Sequence, residues 1–162
     1  MATRALTAGD APACDAIIAG LPYFFGIDAG VSECARAVRG QRGFVVEEAG
    51  RVRGFLTVDR PPSAPPEVAV PEITWMAVDA TRRRGGLGGA LVEAVAGELS
   101  AEGERALSVL TQAAAVPETG PDTYAGTRAF YRKAGFIPIR EIHPPGWDVA
   151  ALLLVRPLPG RG

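Results

Sequence analysis

The chain has 162 residues, of which 48% are hydrophobic and 22% are charged, and its formal net charge is −1. These values suit one globular domain, and they exclude the basic footprint of a nucleic-acid-binding protein and the long apolar run of a membrane helix. Cys14 and Cys34 are too few for a disulfide framework, so we expect reduced thiols in a cytoplasmic protein.

The beginning of the chain predicts a short strand and two helices. Residues 2–6 suit a first strand. Residues 7–20 have the apolar spacing of a helix, with Asp10 as the candidate N-cap. A second, short helix is predicted at 31–38, and the aromatic cluster Tyr23-Phe24-Phe25 lies in a turn between the two helices.

A β-hairpin follows, because apolar and β-branched residues at 44–48 and 51–58 flank the turn Ala49-Gly50. A proline-rich loop at 61–66 then separates the hairpin from the next strand. The remaining predicted elements are strand 72–78, helix 88–100, strand 106–111, helix 123–134 closed by Gly135, and strands 137–142 and 149–155. Strands outnumber helices and hairpins dominate, so we predict a mixed α/β sheet with helices on both faces.

The most informative segment is the turn between strand 72–78 and helix 88–100, which reads Arg82-Arg83-Arg84-Gly85-Gly86-Leu87-Gly88-Gly89. Glycine lets the backbone approach a ligand closely. The first turn of a helix has free N–H groups and a partial positive charge. Together these features predict a pyrophosphate site, to which the arginines add charge.

Three kinds of phosphate-binding fold use such a turn. A Walker loop needs a lysine and then serine or threonine after its last glycine, whereas Ala90 follows here. A dinucleotide-binding fold needs a glycine directly after the strand and a third glycine later, whereas residues 79–84 intervene here and Leu91 takes the later position. The pattern Arg-x-x-Gly-x-Gly, from Arg83 to Gly88, fits a third kind better.

This segment resembles the cofactor motif of the GNAT superfamily, the general-control-type N-acetyltransferases, which is Gln/Arg-x-x-Gly-x-Gly/Ala after a strand with a bulge. Residues 127–136 resemble a later helix of that family, which ends in Tyr-x-x-x-Gly-Phe, here Tyr131 to Phe136. The resemblance covers residues 44–155. It departs at Tyr124, where many relatives have an asparagine that contacts the cofactor.

The resemblance implies a GNAT-type fold, with a central, mostly antiparallel sheet and helices on both faces. It divides a single domain, 1–162, into variable acceptor-side helices at 1–43 and a sheet core with the cofactor site at 44–156. It also implies acetyl-CoA as the acetyl donor, held mainly by backbone amides. The implied cofactor-binding residues are Met76, Ala77 and Val78 along the strand, and Arg83, Arg84, Gly85, Gly86, Leu87, Gly88 and Gly89 in the turn.

Two side chains are candidates for catalysing the direct attack of an amine on the thioester. Glu72 matches the glutamate base of histone-acetylating relatives, and alternation predicts that it shares a strand face with Thr74, Met76 and Val78. The alternative is a strand-end carboxylate in solvent or in a salt bridge. Tyr131 matches a family tyrosine near the cofactor sulfur and would be the general acid, unless it only packs beneath its helix.

The predicted function is N-acetyl transfer to a primary amine of a small molecule. An acetyl-CoA sensor without turnover and a protein N-terminal or lysine acetyltransferase are the alternatives. Tyr23-Phe24-Phe25, residues 61–66 and Trp147 either line an acceptor pocket or belong to core and turns. His143, the single histidine, is expected at the surface, and no metal is predicted. We expect no nucleic-acid or membrane partner, and an open sheet edge would permit a homodimer.

Overall fold

The structure, a computed structural model, describes residues 1–21, 28–61, 69–82, 84–114 and 121–160. The described elements follow the predicted order of strands and helices. They are β1 (Ala2–Ala5), α1 (Ala11–Ala19), α2 (Asp28–Gly40), β2 (Arg42–Glu48), β3 (Arg51–Asp59), β4 (Glu72–Val78), α3 (Leu87–Ala101), β5 (Ala106–Gln112), α4 (Ala125–Lys133), β6 (Ile137–Ile142) and β7 (Ala151–Pro157). None of the described helices is both long enough and apolar enough to cross a membrane.

The seven strands of the described residues belong to one sheet, in the order β1-β2-β3-β4-β5-β7-β6. Every neighbouring pair is antiparallel except β4 and β5, which run parallel. A parallel pair needs a crossover connection, and α3 supplies it. The predicted mixed α/β fold with a mostly antiparallel sheet is therefore confirmed.

Helices cover the sheet on both faces, and each face has its own apolar core. On one face α3 and α4 pack over a cluster that includes Leu91, Val95 and Leu107. On the other face α1 and α2 pack over a smaller cluster that includes Val45 and Phe55. The sheet is therefore buried on both sides at its centre, which fixes the direction of every side chain on the central strands.

The turn between β2 and β3 is set by backbone conformation. Ala49 and Gly50 both have positive φ, 50° and 73°, as a type I′ hairpin turn requires. Gly135, which follows α4, has φ of 93° and ends that helix as predicted. The second helix is longer than predicted, Asp28–Gly40 in place of 31–38, because residues at both of its ends continue the helical pattern.

The predicted helix 7–20 is divided into a short 3-10 helix, Ala8–Asp10, and α1. Asp10 does precede α1, but its side chain makes no hydrogen bond to the first turn of that helix. The carboxylate instead accepts hydrogen bonds from the backbone N–H and hydroxyl of Thr7, at 2.8 and 3.0 Å. Arg4 donates to both carboxylate oxygens, each at 2.8 Å, and also to Glu47 on β2. Asp10 therefore ties β1 to the start of α1.

The hydrogen bonds from Arg4 hold the pKa of the buried Asp10 carboxyl well below its usual range, at about 2. Asp10→Asn should lower the free energy of unfolding at pH 7 by about 2 kcal/mol, because hydrogen bonds to a charged group are lost. Since the folded-state pKa lies below the unfolded value of about 3.9, the ionised form stabilises the fold above pH 4, and this contribution is lost as pH falls toward 2. Urea unfolding at pH 7 and at pH 2.5 should show the gap between variant and wild type narrowing in acid. An equal gap at both pH values would contradict this assignment.

Candidate functional site

The parallel strands β4 and β5 are joined only where β4 begins. The paired residues are Glu72 with Ser108 and Ile73 with Val109. Beyond Ile73, β4 continues to pair with β3, and β5 continues to pair with β7. The facing edges of β4 and β5 therefore separate into a gap in the middle of the sheet, and an extended ligand could lie there against unpaired backbone groups.

A bulge in β4 lies at the point where this gap opens. Thr57 of β3 is opposite Trp75, and Val58 is opposite Ile73, so Thr74 is the extra residue. The bulge agrees with the strand-and-bulge pattern of the family motif, but it overturns the predicted alternation. Ile73, Met76 and Val78 belong to the core under α3, whereas Trp75 and Ala77 belong to the core under α1 and α2.

Glu72 is consequently not on the face predicted for it. As the neighbour of Ile73 on a regular stretch of strand, it points to the α1 and α2 side, away from Met76 and Val78. Its carboxyl is partly buried, and this burial raises its pKa above the usual value. Among the described residues no arginine or lysine forms an ion pair with Glu72, so the salt-bridge alternative finds no partner there.

The predicted phosphate turn leads from β4 into α3. Arg84 and Gly86 have positive φ, 68° and 80°, and α3 begins immediately afterwards. As the first three residues of the helix, Leu87, Gly88 and Gly89 have backbone N–H groups without intrahelical acceptors. Apart from its chain neighbours and its own helix, a Cβ added at Gly86 or Gly89 would meet no atom of the described residues within 4 Å. The turn therefore has free donors and open space, and both suit a pyrophosphate.

Gly88 has a different reason to be glycine. A Cβ at this position would lie 3.1 Å from two ring carbons of Phe130 on α4. Such a separation is tighter than ordinary van der Waals contact, so the glycine allows α3 and α4 to meet. A larger residue at position 88 would therefore displace Phe130, whatever its effect on a bound phosphate.

Two ion pairs fasten the turn to the β2–β3 hairpin, and no sequence pattern predicts them. Arg53 of β3 donates to Asp79 at 2.9 Å, while the N–H of Asp79 donates to the carbonyl of Arg53 at 2.7 Å. Arg82 lies 3.2 Å from a carboxylate oxygen of Glu48 on β2. Arg82 is thus paired with a carboxylate of the hairpin, whereas Arg84 is exposed at the turn.

Tyr131 lies on α4, in the core under α3, together with the partly buried Met76 and Val78. It is 5% exposed and packs edge-on against Phe130 and Phe136, with ring centroids 5.2 and 5.4 Å away. Burial raises the pKa of its hydroxyl well above the usual range, so the hydroxyl keeps its proton at physiological pH. The sheet therefore separates the Tyr131 side of β4 from the Glu72 side.

The beginning of α4 is fastened over the end of β5. Arg128 donates to the carbonyl of Gln112 at 3.0 Å and also pairs with Asp122. Tyr124 precedes α4 at its N-cap position and is partly buried, and burial raises the pKa of its hydroxyl. The residue that replaces the family's asparagine therefore lies at the helix start, close in sequence to the ties that orient α4.

Several residues to which the sequence assigns a possible role lie outside the part of the chain that the structure describes. Arg83, the aromatic cluster Tyr23-Phe24-Phe25 and residues 62–66 of the proline-rich loop lie outside the described ranges. Trp147 is exposed between β6 and β7. No three histidine, cysteine, aspartate or glutamate side chains converge as metal ligands would within the described ranges.

The sequence of the central part of the chain decides the family. A sequence model described as an acetyltransferase (GNAT) domain matches residues 39–138, from the end of α2 to the start of β6. The chain belongs to the GNAT family of acetyltransferases. The matched stretch contains the bulged strand, the glycine turn and the helix that carries Tyr131. The protein is thus an acyltransferase by family.

Solved structures of GNAT proteins share this fold along almost the whole chain. A GNAT-family protein from Desulfovibrio desulfuricans is 20% identical, with a TM-score of 0.78 over 96% of this chain and 98% of that one. The Escherichia coli ribosomal-protein-S18-alanine N-acetyltransferase is 19% identical, with a TM-score of 0.70 over 99% and 96%. An aminoglycoside 6′-N-acetyltransferase complexed with coenzyme A is 14% identical, with a TM-score of 0.73 over 100% and 99%. No curated protein matches the sequence.

Gly89→Glu should abolish the binding of CoA to this GNAT protein. Gly89 lies in the first turn of α3 with open space around it, so the new carboxylate would stand among the free N–H groups and repel phosphate. Glutamate is a better helix former than glycine by roughly 0.5–1 kcal/mol, so the thermal midpoint should not fall. Isothermal titration with CoA measures the loss.

Gly97→Glu is the matched control for this experiment. Gly97 lies in the same helix but far from its N-terminus, and a Cβ added there also meets no atom within 4 Å in the described part of the chain outside this helix. This variant should gain the same stability and bind CoA with wild-type affinity. Wild-type affinity in Gly89→Glu as well would contradict a phosphate site at the start of α3.

Proposed function

We propose that this GNAT protein transfers the acetyl group of acetyl-CoA to a primary amine of a small molecule by direct attack. The observation that carries the proposal is the gap between β4 and β5. It opens at the bulge at Thr74, and β4 leads from there toward the turn and the free N–H groups at the start of α3. Glu72 lies on one side of the sheet at this point and Tyr131 on the other.

Backbone groups supply most of the proposed contacts with the donor. The N–H groups of Leu87, Gly88 and Gly89 would hold the pyrophosphate, and Arg84 would add charge near it. The β4 edge at Met76 and Val78 would hold the pantetheine arm as an added strand is held. An aminoglycoside acetyltransferase of the same fold was solved with coenzyme A, which supports this choice of donor.

Glu72 is the proposed base. An alkylamine is mostly protonated near neutral pH and cannot attack a carbonyl until a proton is removed. A carboxyl whose pKa is raised by burial is a stronger base than one in water, and Glu72 meets this condition without a neighbouring cation among the described residues. A protonated amine would also be attracted to the ionised carboxylate. Glu72 would take the amine proton directly or through a water molecule.

Tyr131 is the proposed acid. The thiolate that leaves needs a proton, and a buried hydroxyl with a raised pKa is certain to hold one at working pH. The backbone N–H of Ala77 or Val78 would stabilise the negative charge that develops on the carbonyl oxygen. With acid and base on opposite sides of the gap, the amine can approach from the α1 and α2 side while the thiolate departs toward α4.

The proposal includes a cytoplasmic location. Cys14 and Cys34 are fully buried, free thiols whose pKa burial raises to about 12, which suits a reducing compartment. Within the described residues no further strand pairs with β1 or β6, the two ends of the sheet, and either edge would allow a homodimer.

The proposal is tested by following CoA release from acetyl-CoA with a panel of small amines, amino acids and amine-bearing sugars. Turnover with one of them supports the proposal. A lysine peptide and a peptide with a free N-terminal alanine are the comparison substrates, because turnover with these alone would favour protein acetylation. Tight acetyl-CoA binding without turnover on any of them would overturn the proposal in favour of a sensor.

Glu72→Gln should lower kcat/KM about 10²-fold, because the base is lost while the shape is kept. In the wild type, kcat/KM should fall as pH drops through the raised pKa of Glu72, since the protonated carboxyl cannot accept a proton. The variant should lose this acid limb. Glu141→Gln, at an exposed position on β6, is the matched control and should keep the wild-type profile. An unchanged acid limb in Glu72→Gln would assign that ionisation to another group.

Tyr131→Phe should keep acetyl-CoA affinity and lower kcat about 10²-fold, because only the hydroxyl is removed. The phenylalanine ring fits between Phe130 and Phe136, so the thermal midpoint should be maintained. Steady-state kinetics and titration with acetyl-CoA measure the two quantities. Wild-type kcat in this variant would show that Tyr131 is only a packing residue.

A further inference from the structure

The bulge in β4 is tied in place by a chain of three polar side chains. The hydroxyl of Thr74 donates to the carboxamide oxygen of Gln41, which lies between α2 and β2. Since this uses the one proton of Thr74, the hydroxyl of Thr57 donates to Thr74, with the two oxygens 2.7 Å apart. The bulged residue is therefore linked by its side chain to β3 and to the end of α2.

The position of this bulge decides which face Glu72 occupies. If residues 72–78 formed a regular strand with no bulge, alternation would put Glu72 on the same face as Met76 and Val78, in the core beneath α3. With Thr74 inserted, Glu72 points to the α1 and α2 side, while Met76 and Val78 keep their places. The relation between the proposed base and the proposed cofactor edge thus depends on one unpaired residue.

Backbone pairing alone holds this residue weakly. The partner strand β5 separates from β4 after Ile73, so β4 has a ladder on one side only from this point. A bulged residue also lacks a regular ladder partner on the other side. The side-chain hydrogen bonds of Thr74 supply a tie where the ladders do not.

This hydrogen-bonded chain of three side chains does not conduct protons. Thr57, at one end, is fully buried, and Gln41, at the other, has a carboxamide that neither gains nor loses a proton near neutral pH. Its hydrogen bonds fix positions.

We propose that Thr57, Thr74 and Gln41 are positioning residues, which hold the bulge so that Glu72 and the thioester meet in the productive arrangement. This inference rests on the function proposed above. The two hydroxyls bond to each other and to Gln41, so in this role they act on the position of the backbone. The phosphate turn lies beyond the other end of β4, and Met76 and Val78 keep their regular pairing with β3 whether or not the tie is made. We therefore expect the tie to control the rate of acetyl transfer rather than the affinity for the donor.

The test compares Thr74→Val and Thr57→Val with Thr74→Ser, which keeps the hydroxyl. Both valine variants should lower kcat about 10-fold, since a small misplacement of reacting groups has a large effect on rate, while the acetyl-CoA dissociation constant stays within twofold. Thr74→Ser should recover kcat to within twofold of wild type. In the double variant the losses should not add, because each change breaks the same chain.

Thr7→Val is the matched control. It also removes a threonine hydroxyl that makes a hydrogen bond, at 3.0 Å to Asp10, but at the start of α1. This control should lower the thermal midpoint without changing kcat. Hydrogen exchange supplies a readout that is independent of turnover: amides of β4 should exchange faster in Thr74→Val and at the wild-type rate in Thr7→Val.

Wild-type kcat and wild-type β4 exchange in Thr74→Val would overturn the proposal. A loss in Thr74→Val that neither Thr57→Val nor Gln41→Leu reproduces would overturn it as well, because the three would not act as a chain. Failure of the proposed function gives a different result: the wild type would bind acetyl-CoA without turnover, while the exchange of β4 would still report whether the tie holds the bulge.

Discussion

The parallel ladder between β4 and β5 ends after two residue pairs, and the other parts of the site are arranged around this early end. Two neighbouring strands that separate leave N–H and C=O groups unpaired inside the molecule, and such groups are costly to bury without partners. A long ligand with amide groups of its own can satisfy them. The start of α3 lies where β4 ends, so the same ligand can meet free helix N–H groups at one end and the narrow part of the gap at the other.

A sheet that opens at its centre needs support from elsewhere. Each side of the gap is secured by charged side chains that reach across element boundaries. On the β4 side Arg53 and Glu48 of the hairpin hold Asp79 and Arg82, and on the β5 side Arg128 holds the beginning of α4 to Gln112. The pair of Arg53 with Asp79 is about three-quarters buried, so solvent screens it less than the ion pairs on the surface.

Most of the fold could be predicted from the sequence, because its elements have strong local signals. The bounds of β4 and β6 were predicted to the residue, and the glycine turn and Gly135 were found because their backbone conformations are ones that glycine adopts readily. The direction of Glu72 could not be predicted. Alternation assumes a regular strand, and the extra residue at Thr74 depends on pairing with β3, which is a tertiary relationship. The roles of Arg53 and Phe130 escaped for the same reason, since each acts on a residue at least 26 positions away in sequence.

The contact of Gly88 with Phe130 has a consequence for how the molecule can change. Phe130 is the chain neighbour of Tyr131, and the ring of Phe130 rests on the helix whose first turn is the proposed site of the donor phosphates. The proposed phosphate site on α3 and the proposed acid on α4 therefore depend on the same contact between the two helices. Neither helix can move at this contact without displacing the other. On the opposite face of the sheet α1 and α2 form a separate core, so residues there can be replaced without disturbing the contact.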